Sequence, residues 1–355
     1  MNAPANNQLD TPVYIIKSEK VEERYARGWH CLGLAKDYTE KPVRLEYFGT
    51  RLVAFRGLED GVVHILDAFC PHMGADLSRG CVKGDSIVCP FHGWTWGGDG
   101  FCNDIPYAKR IPPKARMKSW PTTEQNGLLF VWNDPEGNPP IPEQHPQRKE
   151  DYYSGDWSDW SMAKLTIHSN CRELVDNMAD MAHFGPVHYS TVKSFRNLQD
   201  GHCFTQHMSG GHEILTEEGQ IFTSVATYEG PAYMTTTMTG MLHGQEVVTH
   251  LLVTHVPVNT EQFDIRFGVM MKKIPGLSEA DNAAAVAQYT QMCMDSFIQD
   301  VDIWNNKIRV DNPLLCDGDG PLHLLRKWYS QFYMDVASIP DSLKARKEHV
   351  TLPRD

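Results

Sequence analysis

The sequence is short of positive charge: its 355 residues carry 33 Lys and Arg against 45 Asp and Glu, a formal −12 at neutral pH. Without a basic stretch to neutralise phosphates, nucleic acid is not expected as a partner. The sequence also lacks an uninterrupted apolar run of the roughly 18 residues that a membrane-spanning helix needs. Residues 1–12 are polar and lack the apolar core of a secretory signal, so a cytoplasmic protein without a membrane partner is expected. Nine cysteines, an odd number scattered along the chain, do not form a disulfide framework, which leaves thiols for metal. No G-x-G-x-x-G fingerprint, internal repeat or low-complexity tract occurs, so FAD or NAD is not expected on this chain. Disorder is excluded too, because 41% hydrophobic and 22% charged residues are ordinary globular usage.

What is present divides the chain. Residues 1–24 read as a tail. Residues 25–133 alternate short apolar runs with Gly, Asp and Pro turns, as a small all-β domain does. Residues 134–160, with prolines at 135, 139, 140, 142 and 146, read as a linker. Residues 161–355 mix the two patterns. A helix is expected over 170–184, stopped by Gly185-Pro186. Strands are expected over 221–228, 232–239, 247–256 and 263–271, forming one antiparallel sheet. Ser278 and Asp281 form a capping pair that opens a long helix to about Arg309, and a second amphipathic stretch covers 322–336. The fold class is therefore α+β: an all-β domain, then an antiparallel sheet with helices segregated to one side.

The sharpest motif is Cys70-Pro-His72-Met-Gly followed by Cys89-Pro-Phe-His92-Gly-Trp. Two loops of similar design each supply one thiolate and one imidazole. Zinc could use two Cys and two His, but zinc fingers pair Cys with Cys and His with His along the chain. One Cys and one His per loop, inside a β domain, is the pattern of a Rieske [2Fe–2S] centre. Over about 27–133 the chain resembles the Rieske domain of ring-hydroxylating oxygenases. The resemblance implies that Cys70 and Cys89 hold one iron and His72 and His92 the other. Ala75 and Phe91 stand where respiratory Rieske proteins would carry a further pair of cysteines, and Cys81 reads as a core thiol. Gly93-Trp94 replaces a hydroxyl-bearing residue that bonds the cluster in those proteins, so a potential at the low end of the Rieske range is expected.

A second constellation occupies 176–188, where Asp180, His183 and His188 concentrate in a few residues. Asp180 and His183, three apart, share a face of a helix. His188 lies five beyond His183, and the break at Gly185-Pro186 can swing it back toward His183. Two His on such a corner form half of a 2-His-1-carboxylate triad for Fe(II). A lone His pair is more often structural, but Asn-x2-Asp-x2-His-x4-His downstream of a Rieske domain resembles the mononuclear-iron motif of Rieske non-heme iron oxygenases. The resemblance implies that His183 and His188 bind Fe(II), and that Asp180 links this iron to the cluster of a neighbouring subunit. The third ligand must be a carboxylate from elsewhere, and the long helix offers Asp300 and Asp302. Counting 100° per residue from a stripe centred near Phe297, Asp300 falls about 85° away and Asp302 about 115° away. In the family the resemblance points to, the ligand Asp commonly precedes a Trp or similar group by four residues, as Asp300 precedes Trp304, which favours Asp300 over Asp302.

Residues 303–321, with 325–329 and 331–333, are similar to the oxygenase component of 3-ketosteroid 9α-hydroxylases. The resemblance implies a monooxygenase that hydroxylates C9 of a 3-ketosteroid with O2 in steroid degradation. NADH and FAD would act only through a separate ferredoxin-type flavin reductase. Two domains of this size put their sites on the order of 30 Å apart. The family answers this with a homotrimer, in which His92 or His72, Asp180 and His183 would bridge subunits. Val175, Met178 and 234–241 are the places to look for a steroid pocket. The rivals are another Rieske monooxygenase, such as a sterol desaturase or an aromatic O-demethylase, and a pure Rieske electron carrier.

Overall fold

The structure is a computed structural model and describes residues 13–212, 220–242 and 245–352. Residues 1–12 of the expected tail lie outside it. The first part of the chain contributes β1 (Gly28–Leu34), β2 (Val43–Tyr47), β3 (Thr50–Arg56), β4 (Val63–Asp67), β5 (Cys81–Lys83), β6 (Ser86–Val88), β7 (Thr95–Gly97), β8 (Cys102–Asp104), β9 (Ser119–Trp120), β10 (Thr122–Gln125) and β11 (Leu128–Asn133). These strands form three small antiparallel sheets, ordered β1-β11-β10, β2-β3-β4-β9 and β5-β6-β7-β8. Turn chemistry fixes the registers. Phe48-Gly49, at φ +55° and +68°, closes β2 onto β3, and Asn126-Gly127, at +58° and +76°, closes β10 onto β11. Both are two-residue connections with positive φ at each position, whose twist matches that of paired strands.

The second part contributes β12 (Ser161–Ile167), α1 (Arg172–Asp176), β13 (Ser190–Asp200), β14 (Cys203–His212), β15 (Phe222–Glu229), β16 (Tyr233–Leu242), β17 (Gln245–Pro257), β18 (Phe263–Met271), α2 (Glu279–Asn306), α3 (Leu322–Tyr329), α4 (Asp341–Lys344) and β19 (Lys347–Leu352). Eight of these strands form one antiparallel sheet in the order β12-β18-β17-β16-β15-β14-β13-β19. The α2 helix lies against β12 and β18, where Val286, Cys293, Met294 and Trp304 pack on Ile265, Phe267 and Val269. Ser278 caps it, its hydroxyl accepting from the Asp281 N–H at 3.1 Å.

The four strands expected from apolar runs are the middle of this sheet. The flanking strands β12, β13, β14 and β19 escape that reading because polar side chains interrupt their apolar pattern. The helix expected over 170–184 is corrected to the short α1 and a 3-10 turn, Ala182–Phe184. The cause lies in the sheet: the Asn197 and Gln206 side-chain amides donate to the Met178 carbonyl at 2.7 and 3.2 Å. That carbonyl is thereby satisfied without a continued helix. Similarly, α2 stops at Asn306, because Lys307 is extended, and α3 gives way after Tyr329 to a 3-10 turn. Cys81 is exposed, not a core thiol.

The stretch 134–160 is packed between the two parts of the chain. Its Tyr152, Trp157 and Trp160 join Trp29 and Trp132 on one side and Tyr233, Leu252 and Met270 on the other. At this junction His30 of β1 and His255 of β17 are each 1% exposed. Burial disfavours their protonation, pushing His30 down to about 4 and His255 down to about 3. Both are neutral in the fold and take up protons only on unfolding, so their contribution is complete above the ordinary imidazole pKa and is lost as pH falls toward 4 and then 3. At pH 5 the pair costs roughly 4 kcal/mol of stability relative to neutral pH. Urea titrations at pH 7 and 5 check this, and replacing both with Gln or Phe should flatten the difference.

Candidate metal centres

The first centre sits on two loops, one between β4 and β5 and the other between β6 and β7, and the backbone makes them near copies. In each, the Cys carbonyl accepts from the Gly N–H four residues on (Gly74 at 2.8 Å, Gly93 at 3.0 Å). In each, the Cys N–H donates to the carbonyl five residues on (Ala75 at 2.9 Å, Trp94 at 2.8 Å). Both glycines adopt positive φ, +78° and +73°, which a side chain would strain. This pairing of a Cys with a Gly four residues later is the physical content of the repeated motif. The Cys70 and Cys89 thiols are buried and unpaired, and burial pushes the Cys70 thiol up. His72 and His92 meet edge to face at 4.7 Å between ring centres, and Trp94 stacks on His72 at 4.6 Å. The His72 Nδ1 atom is buried with no hydrogen-bond partner, an expensive state that a metal relieves.

No three donors of this group lie within 4.8 Å of one another, whereas the four ligands of one zinc ion would. The donors suit two irons.

The second centre does close on one point. Among the described residues, one set of three donor groups has all its ligand atoms within 4.8 Å: His183, His188 and Asp300. The chain turns back after Pro186, because the Val187 N–H donates to the His183 carbonyl and the Tyr189 N–H to the Gly185 carbonyl, with Tyr189 at φ +53°. That turn sets the two imidazole rings 5.1 Å apart. His188 Nε2 lies 3.1 Å from Asp300 Oδ2. The Asp300 carboxylate is buried on α2, while Asp302 faces solvent. His183 Nδ1 donates to the Asp180 carbonyl oxygen at 2.6 Å, which leaves Nε2 for a metal. The Asp180 carboxylate lies 3.8 Å from that Nδ1 and is 41% exposed, at the surface end of the site. Burial opposes its ionisation, but His183 and nearby N–H groups outweigh it and hold the carboxyl below its ordinary value.

A cavity opens from this triad between α2 and the sheet. About 220 Å³ of it is available to the centres of water molecules, so the room for a ligand is larger. Met178, Phe222, Met234, Met238, Phe267 and Phe297 line it. Of the places marked in the sequence, Met178, Met234, Thr236 and Met238 are lining residues. Val175 instead packs beneath Leu325 and Trp328, and Met241 is exposed.

Composition hid the ion pairs behind α1. Arg326 grips Asp176 with two nitrogens at 2.6 and 3.1 Å, and Glu173 takes Lys307 at 2.7 Å and Arg309 at 3.2 Å. These pairs tie α1, and so the segment running to His183, to the chain after α2. Partners 150 residues apart leave no local signal.

Comparison with known proteins decides the family. Residues 28–121 match the Rieske [2Fe-2S] domain, and residues 131–333 match the 3-ketosteroid 9alpha-hydroxylase C-terminal domain. The chain belongs to the 3-ketosteroid 9α-hydroxylase family. The 3-ketosteroid-9-alpha-monooxygenase oxygenase component of Rhodococcus rhodochrous is 45% identical over 98% of this chain and 91% of its own length. The corresponding component of Mycobacterium tuberculosis is 43% identical over 92% and 86%. Among solved structures, dicamba monooxygenase bound to 3,6-dichlorosalicylic acid superposes with a TM-score of 0.69 at 18% identity, over 89% of this chain and 100% of that one, a likeness of fold.

As a member of the 9α-hydroxylase family, the chain is the oxygenase component of a Rieske non-heme iron monooxygenase and works with a reductase. Its cofactors are a [2Fe–2S] cluster and Fe(II), with NADH and FAD acting through the reductase.

Proposed function

We propose that this oxygenase component hydroxylates a 3-ketosteroid at C9. In this reading Cys70, Cys89, His72 and His92 hold the cluster, and His183, His188 and Asp300 hold Fe(II). The observation that carries it is the convergence of two imidazoles and a buried carboxylate at the wall of an apolar cavity, a donor set that would hold Fe(II) with ligand positions left for O2. When bound, the iron supplies activation of O2 for attack on a C–H bond, using electrons delivered through the cluster.

The chain's own residues prepare that chemistry. Asp180 fixes the ring of His183 through its backbone carbonyl, so Nε2 keeps one orientation. Ser296 Oγ lies 3.5 Å from His188 Nδ1 and steadies the second ring. Phe184 flanks both histidines, at 4.3 and 5.9 Å between ring centres, and shields them from water. Met178, Met234 and Met238, unbranched and polarizable, fit an apolar polycycle without demanding one shape.

The finer assignments belong to the same proposal: a ferredoxin-type flavin reductase as donor, a homotrimer in which Asp180 bridges subunits, and a cytoplasmic location. Among the described residues, no helix is long and apolar enough to cross a membrane.

The test is turnover of a steroid panel by the holoenzyme with NADH and a surrogate reductase. A 9α-hydroxylated product from 4-androstene-3,17-dione or its coenzyme A side-chain relatives is expected. Turnover of a sterol nucleus by desaturation, or of an aryl ether by demethylation, in its place would overturn the substrate and leave the reaction class standing.

A further inference from the structure

The strand-to-strand segment 105–118, between β8 and β9, corrects the reading that the chain has no basic stretch. Residues 109–118 contain Lys109, Arg110, Lys114, Arg116 and Lys118, and 105–118 contain no Asp or Glu, in a chain whose net charge is −12. All five basic residues are exposed. Arg116 and Lys118 lie over the rings of Phe101 and Trp120, at 4.7 and 3.5 Å. No acidic partner is found for Lys109, Arg110 or Lys114 among the described residues. Backbone bonds hold the segment firmly, with Cys102 N–H donating to the Ala115 carbonyl at 3.0 Å and Met117 N–H to the Gly100 carbonyl at 2.9 Å.

Two contacts tie this cationic segment to the first metal centre. Tyr107, 63% exposed, accepts from the Trp94 indole N–H at 2.8 Å, and Trp94 stacks on His72. On the other side, a Cβ on Gly93 would lie 3.0 Å from Pro106 Cγ, so the loop that bears Cys89 and His92 packs directly on the segment. Two exposed apolar side chains, Tyr107 and Ile111, in one short segment with three cations that have no acidic partner among the described residues, and with Tyr107 joined through Trp94 to His72, have the composition of an interaction surface.

We propose that this face is where the electron donor docks, and that the donor presents an acidic surface, as an acidic [2Fe–2S] carrier domain does. The electron enters the cluster on the His72 side, at the Trp94–Tyr107 contact. Each encounter moves one electron: the carrier's reduced cluster is oxidised by one, this chain's cluster is reduced by one, and no covalent bond forms or breaks. Charge of opposite sign speeds such encounters and selects the partner, while an overall −12 would otherwise repel an acidic carrier. The inference rests on the oxygenase reading above and names its partner surface.

The test uses the holoenzyme carrying K109E, R110E and K114E together, with an acidic plant-type ferredoxin and its NADPH-driven reductase as the probe. Expected are a rise of about tenfold or more in both KM and Kd for the ferredoxin at about 0.05 M salt, and near-equality with the parent protein at about 0.5 M. Cluster absorbance, oligomeric mass and the product of a single turnover after reduction by dithionite should be unchanged. The charge-keeping variant K109R, R110K and K114R should retain the parent's KM. Unchanged KM and Kd in the charge-reversed variant, or a parent protein that takes no electrons from the acidic ferredoxin, would overturn the docking face. So would a loss accompanied by altered oligomeric mass, which would assign the segment to a contact between subunits. Failure of the parent protein to form any product after chemical reduction is a separate result, and it strikes the oxygenase reading.

Discussion

Replacing Asp300 with Ala leaves a protein with a normal cluster spectrum, about two irons per chain where the parent has about three, and no detectable hydroxylation. The Asp300 carboxylate supplies one of three converging donors and is held 3.1 Å from His188 Nε2, so its loss leaves two imidazoles, too few for a facial triad. The fold should survive, because Asp300 has no buried cation to leave unpaired and α2 is anchored by Val286, Met294 and Trp304. Replacing Asp302 with Ala is the matched control, since that side chain faces solvent two residues further along the helix. It should keep three irons and full activity. Iron analysis alongside the visible spectrum decides the matter. A third iron retained in Asp300→Ala, or lost in Asp302→Ala, exchanges the two roles.

The second large effect is expected at Asp180, where Asn should leave both metal contents intact and lower turnover ~10–100-fold, the usual range for a group that supports a metal ligand. The substitution keeps the backbone carbonyl that orients His183 and removes only the charge beside it. That carboxylate is held below its ordinary pKa and is 41% exposed, at the surface end of the site, as the proposed bridge to another subunit requires. A role in passing electrons between subunits predicts slow reoxidation of a pre-reduced cluster in the presence of substrate and O2. A role confined to holding His183 predicts loss of iron instead. Full turnover in a fully metallated Asp180→Asn protein would remove Asp180 from the path altogether.

Legibility followed the range of the interaction. The two Cys/His loops were readable because every part of each loop, including the glycine that closes it, lies within five residues of its cysteine. The β15 to β18 strands were readable from their apolar runs. The end of the helix begun at 170 is not legible locally, because the groups that end it, Asn197 and Gln206, come from strands that only the folded sheet brings near. The exposure of Cys81 is not legible either, because one apolar thiol carries no local sign of which face of a short strand it occupies.

The sequence by itself determined the chemistry: two thiols and two imidazoles on paired loops, a His pair across Gly185-Pro186, and a helix bearing two candidate carboxylates. These are local facts of residue type, spacing and turn geometry. The sequence leans toward Asp300 of the two carboxylates, and the tertiary structure sets it against the His pair through the rotation of α2 against β12 and β18. Tertiary structure also decided that Met178, Met234 and Met238 share one cavity, and that the cations of 109–118 stand beside the cluster loops. The five basic residues of 109–118 are a local feature of a chain of net charge −12, and folding decides only what they stand beside.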